Sequence, residues 1–215
     1  MYLAIEGVIG VGKTTLARLL QPAFDAEVLL EVFEENPFLS NFYSDRNRYA
    51  FQTQIFFLMS RYHQQNNVIP SAQKAGKTVI SDYTFDKDAL FAGINIKGDE
   101  LEVYHKVHSA LADKIPSPDM VLYLKANLET LLDRITHRDR SYERNMDPAY
   151  ISELMDAYDA FFMQDKWQGR VLTIETDNLN FISKAEDLNY IINRVKEALR
   201  LSPYQESLPL DQELP

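Results

Sequence analysis

The chain has 215 residues, 46% of them hydrophobic and 25% charged. These proportions suit one globular domain and exclude collagen-like, low-complexity and wholly disordered chains. Lys and Arg number 22 against 32 Asp and Glu, a net charge of −10. So acidic a chain repels a polyphosphate backbone, which speaks against general DNA or RNA binding but permits a small anion held by a local positive cluster. The absence of Cys excludes disulfides, thiolate zinc sites and cysteine nucleophiles.

In chain order, Tyr2-Leu3-Ala4-Ile5-Glu6 is short, β-prone and followed by glycines, as a buried strand should be. Residues 14–20 read as a helix stopping near Pro22, and residues 27–33 as a second strand stopped by Asn36-Pro37. Residues 48–67 read as a long helix, with Phe51, Ile55, Leu58, Met59 and Tyr62 recurring at spacings of three and four. A third strand at 78–82 follows Gly76, and helices are expected at 85–92 and 100–114. Residues 120–124 form a fourth strand and 128–137 a helix. Pro148 opens another helix running to about Trp167. A fifth strand at 171–174 and a helix at 182–201 complete the series.

Strands alternating with helices predict an α/β fold, a five-stranded parallel sheet flanked by helices, with ligands at the carboxyl ends of the strands. Residues 1–201 are expected as one domain. Residues 202–215, with three prolines and three acids, read as a mobile tail. No apolar run reaches the roughly 18 residues of a membrane span. The apolar start lacks a basic segment and a small-residue cleavage site, so a cytoplasmic protein with no membrane partner is expected.

The strongest motif is Gly7-Val8-Ile9-Gly10-Val11-Gly12-Lys13-Thr14, which fits G-x-x-x-x-G-K-[ST] between a strand and a helix. Its backbone N–H groups and the helix N-terminus would hold phosphates, Lys13 would reach the β/γ-phosphates and Thr14 would ligate Mg²⁺. Three of the seven glycines lie in this loop. Residues 7–14 with Thr15 are therefore the expected ATP contacts.

The motif is shared by nucleoside kinases, nucleotide kinases, switch GTPases and motor ATPases, so the acceptor must be read elsewhere. Glu34-Glu35 after the second strand reads equally as a proton acceptor for a hydroxyl or as a solvated turn. Gln52 on the long helix can donate to and accept from a nucleobase edge. Asp82 ends the third strand, a position suited to a carboxylate near Mg²⁺. Arg138 and Arg140, in an arginine-rich segment ending at Arg144, fit a lid over transferring phosphates.

These motifs together resemble the deoxyribonucleoside kinase family, in particular its bacterial deoxyguanosine/deoxyadenosine kinase branch. The resemblance rests on the phosphate loop, Glu34-Glu35-Asn36-Pro37-Phe38-Leu39, Phe42-Tyr43, Phe51-Gln52-Thr53-Gln54, Asp82-Tyr83, Phe91-Ala92 and Arg138-x-Arg140-x-x-Glu143. It implies that Glu34 is the general base for the sugar 5′-hydroxyl, with Glu35 as the alternative. It further implies that Gln52 pairs with the base, Phe91 stacks on it, Tyr43 and Glu143 hold the 3′-hydroxyl, and Arg138 and Arg140 form the lid. The family commonly has an arginine after the acid of the third strand. Here Tyr83 stands there, and Lys87 is the candidate for the missing positive charge. Met59 occupies the place where pyrimidine-phosphorylating relatives carry a base-reading arginine, and the resemblance favours a purine acceptor. A homodimer is implied as well. The rival readings are a thymidylate-kinase-like monophosphate kinase, which should want positive groups where Glu34 and Glu35 lie, and a nucleotide switch, for which no N-K-x-D motif is found.

Overall fold

The computed structural model describes residues 1–144 and 146–201. The tail expected at 202–215 lies outside the described residues. Five parallel strands form one sheet in the order β2-β3-β1-β4-β5. They are β1 (Tyr2–Glu6), β2 (Ala26–Leu29), β3 (Thr78–Ser81), β4 (Met120–Lys125) and β5 (Val171–Glu175). Every residue of β1 is buried, as is nearly all of β3 and β4. A sheet covered on both faces forces such continuously apolar strands. The chain leaves β1 for β2 and β3, then crosses back to β4 and β5 on the other side. A crevice opens at the carboxyl edge where the order reverses.

The helices are α1 (Lys13–Phe24), α2 (Leu39–Ser44), α3 (Arg46–Lys74), α4 (Lys87–Asn95), α5 (Gly98–Ala112), α6 (Leu128–Arg138), α7 (Pro148–Phe162) and α8 (Ala185–Ala198). Two helices run further than their expected ends near residues 22 and 67. α1 runs through Pro22 and closes on Asp25 in the left-handed conformation. α3 runs through Pro70 for 29 residues. Its last turns bury Ile69 and Ala72 against Tyr2, Leu29 and Val79. That apolar packing outweighs the one backbone bond that Pro70 cannot make.

β2 ends at Leu29, four residues earlier than expected, and Phe33–Glu35 form a 3-10 turn. The short helix α2 has no counterpart in the sequence reading. Asn36 caps its approach: the side-chain oxygen accepts from Phe38 N–H at 3.0 Å and the amide donates to Thr53 O at 3.1 Å. α7 stops at Phe162, and a separate 3-10 turn, Asp165–Trp167, buries Trp167 against Phe161 and Phe162. Among the described residues no helix is long and apolar enough to cross a membrane.

Candidate active site

A cavity of about 850 Å³ opens at the carboxyl edge of the sheet, lined by the phosphate loop, Arg138 and Arg140. The loop follows β1 directly. Gly7 has φ +143°, and a Cβ there would stand 2.4 Å from Leu124 O, so only glycine fits. Gly10, at φ +90°, also sits close to α6, where a Cβ would stand 2.8 Å from Ile135 Cγ1. Lys13 donates to Gly7 O at 2.6 Å and Val8 O at 3.2 Å. Burial pushes its ammonium down to about 8, the nearby charge of Lys87 adding to the effect. The first turn of α1 carries no acidic side chain, so its backbone N–H groups keep their positive end toward the cavity. Arg134 of α6, which sequence reading passed over, braces the loop by donating to Val11 O at 3.3 Å and Thr176 O at 2.8 Å.

Asp82 joins the donor half to the acceptor half. Its Oδ2 accepts from Thr14 Oγ1 at 2.5 Å, and its Oδ1 accepts from Glu31 N–H at 2.8 Å. A hydroxyl and a carboxylate side by side at a phosphate loop are the hard oxygen donors that Mg²⁺ takes when substrate phosphates and waters supply the rest. The expected pair Thr14 and Asp82 is thus brought together.

Of the acids that follow β2, the one that lines the cavity is Glu31, in place of Glu34. Glu34 and Glu35 are both exposed on the 3-10 turn and lie outside the cavity lining. Because β2 ends early and Asp82 captures Glu31 N–H, the chain turns there and directs Glu31 inward. Arg61 Nε donates to Glu31 Oε1 at 2.9 Å, its terminal amine also pairs with that oxygen, and Lys87 Nζ donates to Oε2 at 3.0 Å. Burial would raise the Glu31 carboxyl, but the two cations outweigh it and hold the group well below the usual carboxylate range. Lys87 therefore does place a positive charge at the acceptor-side acid. Arg61 also pairs with the fully buried Asp88 of α4.

Two further positions shift along α3. Gln52 is exposed and outside the cavity, whereas Gln54 is 2% exposed and lines it. Met59 faces outward at 37% exposure, and the cation at the cavity wall is Arg61. Gln54, Phe57 and Arg61 fall on one helical face at spacings of three and four. Polar Gln54 and Arg61 on the same face as apolar Phe57 were the available signal. Phe91 lines the cavity as expected, and Tyr158 supports its ring edge-on with centroids 6.2 Å apart.

Arg138 and Arg140, the arginines expected as a lid, both line the cavity. Arg138 donates to Glu143 Oε2 through Nε at 3.1 Å and through a terminal amine at 2.5 Å. Arg140 stacks on Phe33 at 3.8 Å and lies 3.6 Å from Glu143. Tyr43 stacks with Tyr142, ring centroids 5.9 Å apart. Tyr142 thus joins Tyr43 and Glu143 on the cavity wall, a residue the sequence reading did not single out.

The deoxynucleoside kinase family model matches residues 3–200. A deoxyguanosine kinase of Bacillus subtilis (strain 168) is 36% identical over 201 residues, covering 92% of this chain and 97% of its own. A deoxyadenosine kinase of Dictyostelium discoideum is 31% identical over 204 residues, covering 93% and 80%. Among solved structures, deoxyadenosine kinase from M. mycoides, determined with the products dCMP and dCDP bound, superposes with a TM-score of 0.78. It is 24% identical over 92% of this chain and 99% of that one. The family model and the Bacillus subtilis relative both match nearly the whole chain, and a phosphate loop sharing a cavity with a paired carboxylate accords with them: this is a member of the deoxynucleoside kinase family, a phosphotransferase.

Proposed function

We propose that the protein transfers the γ-phosphoryl group of ATP to the 5′-hydroxyl of a purine deoxynucleoside, deoxyguanosine or deoxyadenosine. The observation that carries the mechanism is the placement of Glu31 in one cavity with the phosphate loop, held ionised between Arg61 and Lys87. The loop amides, Lys13 and Thr15 hold the donor. Thr14 and Asp82 would hold Mg²⁺, which supplies charge neutralisation at the transferring phosphates. Glu31 accepts the proton of the attacking hydroxyl. Gln54 meets the base edge, Phe91 stacks on the base, and Tyr43 and Glu143 hold the sugar. Arg138 and Arg140 neutralise the charge that spreads over the phosphoryl oxygens and exclude water.

The purine preference rests on the full-length relatives named for deoxyguanosine and deoxyadenosine. The wider proposal includes a single catalytic domain over residues 1–201, a cytoplasmic location and a homodimer. Exposed Met59 on α3 and Val103 on α5 are apolar surface available for a partner copy.

Turnover with ATP, measured over the four deoxynucleosides and their monophosphates, tests this reading. Highest kcat/KM on a purine deoxynucleoside supports it. Monophosphate-dependent turnover would point to a nucleotide kinase, and acceptor-independent hydrolysis to a switch. Gln54→Ala should raise KM for the deoxynucleoside by about tenfold or more, because a lost base contact leaves buried partners unpaired, while ATP affinity stays within about twofold. Gln52→Ala should change neither, as its exposure requires.

A further inference from the structure

The mechanism leaves a buried acid at the carboxyl end of β1 unused. Glu6, the last residue of β1, has no exposed surface. The four hydrogen bonds it accepts come from neutral donors. A carboxylate taken out of water without a cation at hydrogen-bond distance is costly to fold around. What it offers over a neutral residue is acceptance at both oxygens at once.

The two oxygens grip opposite halves of the cavity floor. Oε1 accepts from Thr84 N–H at 2.6 Å and from the Thr84 hydroxyl at 2.9 Å. Thr84 opens the turn into α4, and its Oγ1 accepts from Lys87 N–H at 3.3 Å. Lys87 in turn holds Glu31. Oε2 accepts from Gly7 N–H at 3.4 Å, the first amide of the phosphate loop, and from the Tyr158 hydroxyl at 3.0 Å. Tyr158 is the ring beneath Phe91. One carboxyl group therefore ties the donor loop to the segment that carries the acceptor-side residues.

We propose that Glu6 is a positioning residue: it sets the separation between the phosphate loop and the Glu31–Lys87 pair, and so the distance across which the phosphoryl group moves. This rests on Glu31 as the proton acceptor. Neither subsite contains Glu6 itself, so its loss leaves each substrate's own contacts intact and loosens only their mutual placement. Misplacement on the order of 1 Å is enough to lower a rate by about a hundredfold. The kinetic signature is a fall in kcat with both KM values preserved. A purely structural role predicts the opposite, lower stability with normal kcat in the folded fraction.

The test is Glu6→Gln, which keeps the shape but puts an amide N–H₂ against Gly7 N–H or Thr84 N–H. We expect kcat to fall by about tenfold to a hundredfold, with KM for ATP and for the deoxynucleoside each within about threefold. Thr84→Val, which removes the hydroxyl bond to Glu6 and keeps the backbone N–H one, should give a smaller kcat loss of the same kind. The double variant should lose less than the product of the two, because the two changes cut the same link. Wild-type kcat in folded Glu6→Gln, a loss confined to KM for ATP, or strict multiplicativity in the double variant would each overturn the proposal. Should Glu6→Gln fail to fold, an unchanged kcat in Thr84→Val overturns it alone. Glu31→Gln, run alongside, separates the two levels. Full turnover there removes the proton-acceptor assignment itself, whereas a dead Glu31→Gln beside a fully active Glu6→Gln removes only the strut.

Discussion

Glu31→Gln is expected to lower turnover by about a hundredfold or more, the range that follows loss of a general base, while ATP binding is retained. The carboxamide occupies the same volume but cannot take a proton from the 5′-hydroxyl. Its N–H₂ also points a donor at Arg61 or Lys87, both of which are donors to the native carboxylate. The effect should fall on kcat, because the phosphate loop and the Thr14–Asp82 pair lie on the donor side and keep their bonds. Glu34→Gln is the control, and it should stay within about twofold of wild type since its side chain is solvated outside the cavity. Steady-state kinetics with saturating ATP and equilibrium titration of an ATP analogue decide the matter. A Glu31→Gln enzyme with normal kcat, or a Glu34→Gln enzyme that is the slower of the two, would reject the assignment.

Arg61→Met is the second large effect, and its main readout is stability. The guanidinium joins Glu31 to Asp88, and the arginine and aspartate side chains are 5% and 0% exposed. Removing the cation leaves Asp88 buried and unpaired, a situation that costs about 3–5 kcal/mol. In a chain of this size that lowers Tm by roughly 6–20 °C, measurable by circular dichroism on heating. Adding Asp88→Leu should recover part of the loss, because replacing both charges by apolar groups removes the unpaired one. A single variant that melts within about 2 °C of wild type would show that the pair contributes little. Lys87 still holds Glu31 in the variant, so residual turnover is expected.

These two residues also mark where the order of amino acids stopped being sufficient. The phosphate loop was legible because its meaning is local. Glycines at 7, 10 and 12, a Lys-Thr pair and a strand–helix context are contiguous, and the backbone conformation they permit does not depend on distant residues. The central strands β1, β3 and β4 were legible for a similar reason, since a strand buried on both faces must be continuously apolar. The lid motif, with Arg138, Arg140 and Glu143 within six residues, closes on itself through local ion pairs.

Choosing between neighbouring acids or neighbouring glutamines was different in kind. Glu31 and Glu34 are equally good carboxylates. Which one enters the cavity depends on where β2 stops, and that is decided by a hydrogen bond from Glu31 N–H to Asp82, 51 residues away in sequence. Gln52 and Gln54 sit on the same helix a little over half a turn apart. Only the way α3 packs on α4 and the sheet turns Gln54, and with it Arg61, inward. The passage of α3 through Pro70 has the same origin in packing against β1, β2 and β3. Short-range pattern thus settled the family, the sheet and the anion-binding loop, because adjacent residues set local dihedrals and hydrophobic period. The identity of the acceptor-side residues was left to tertiary contacts, because a side chain's direction at a strand end or on a helix face depends on partners far along the chain.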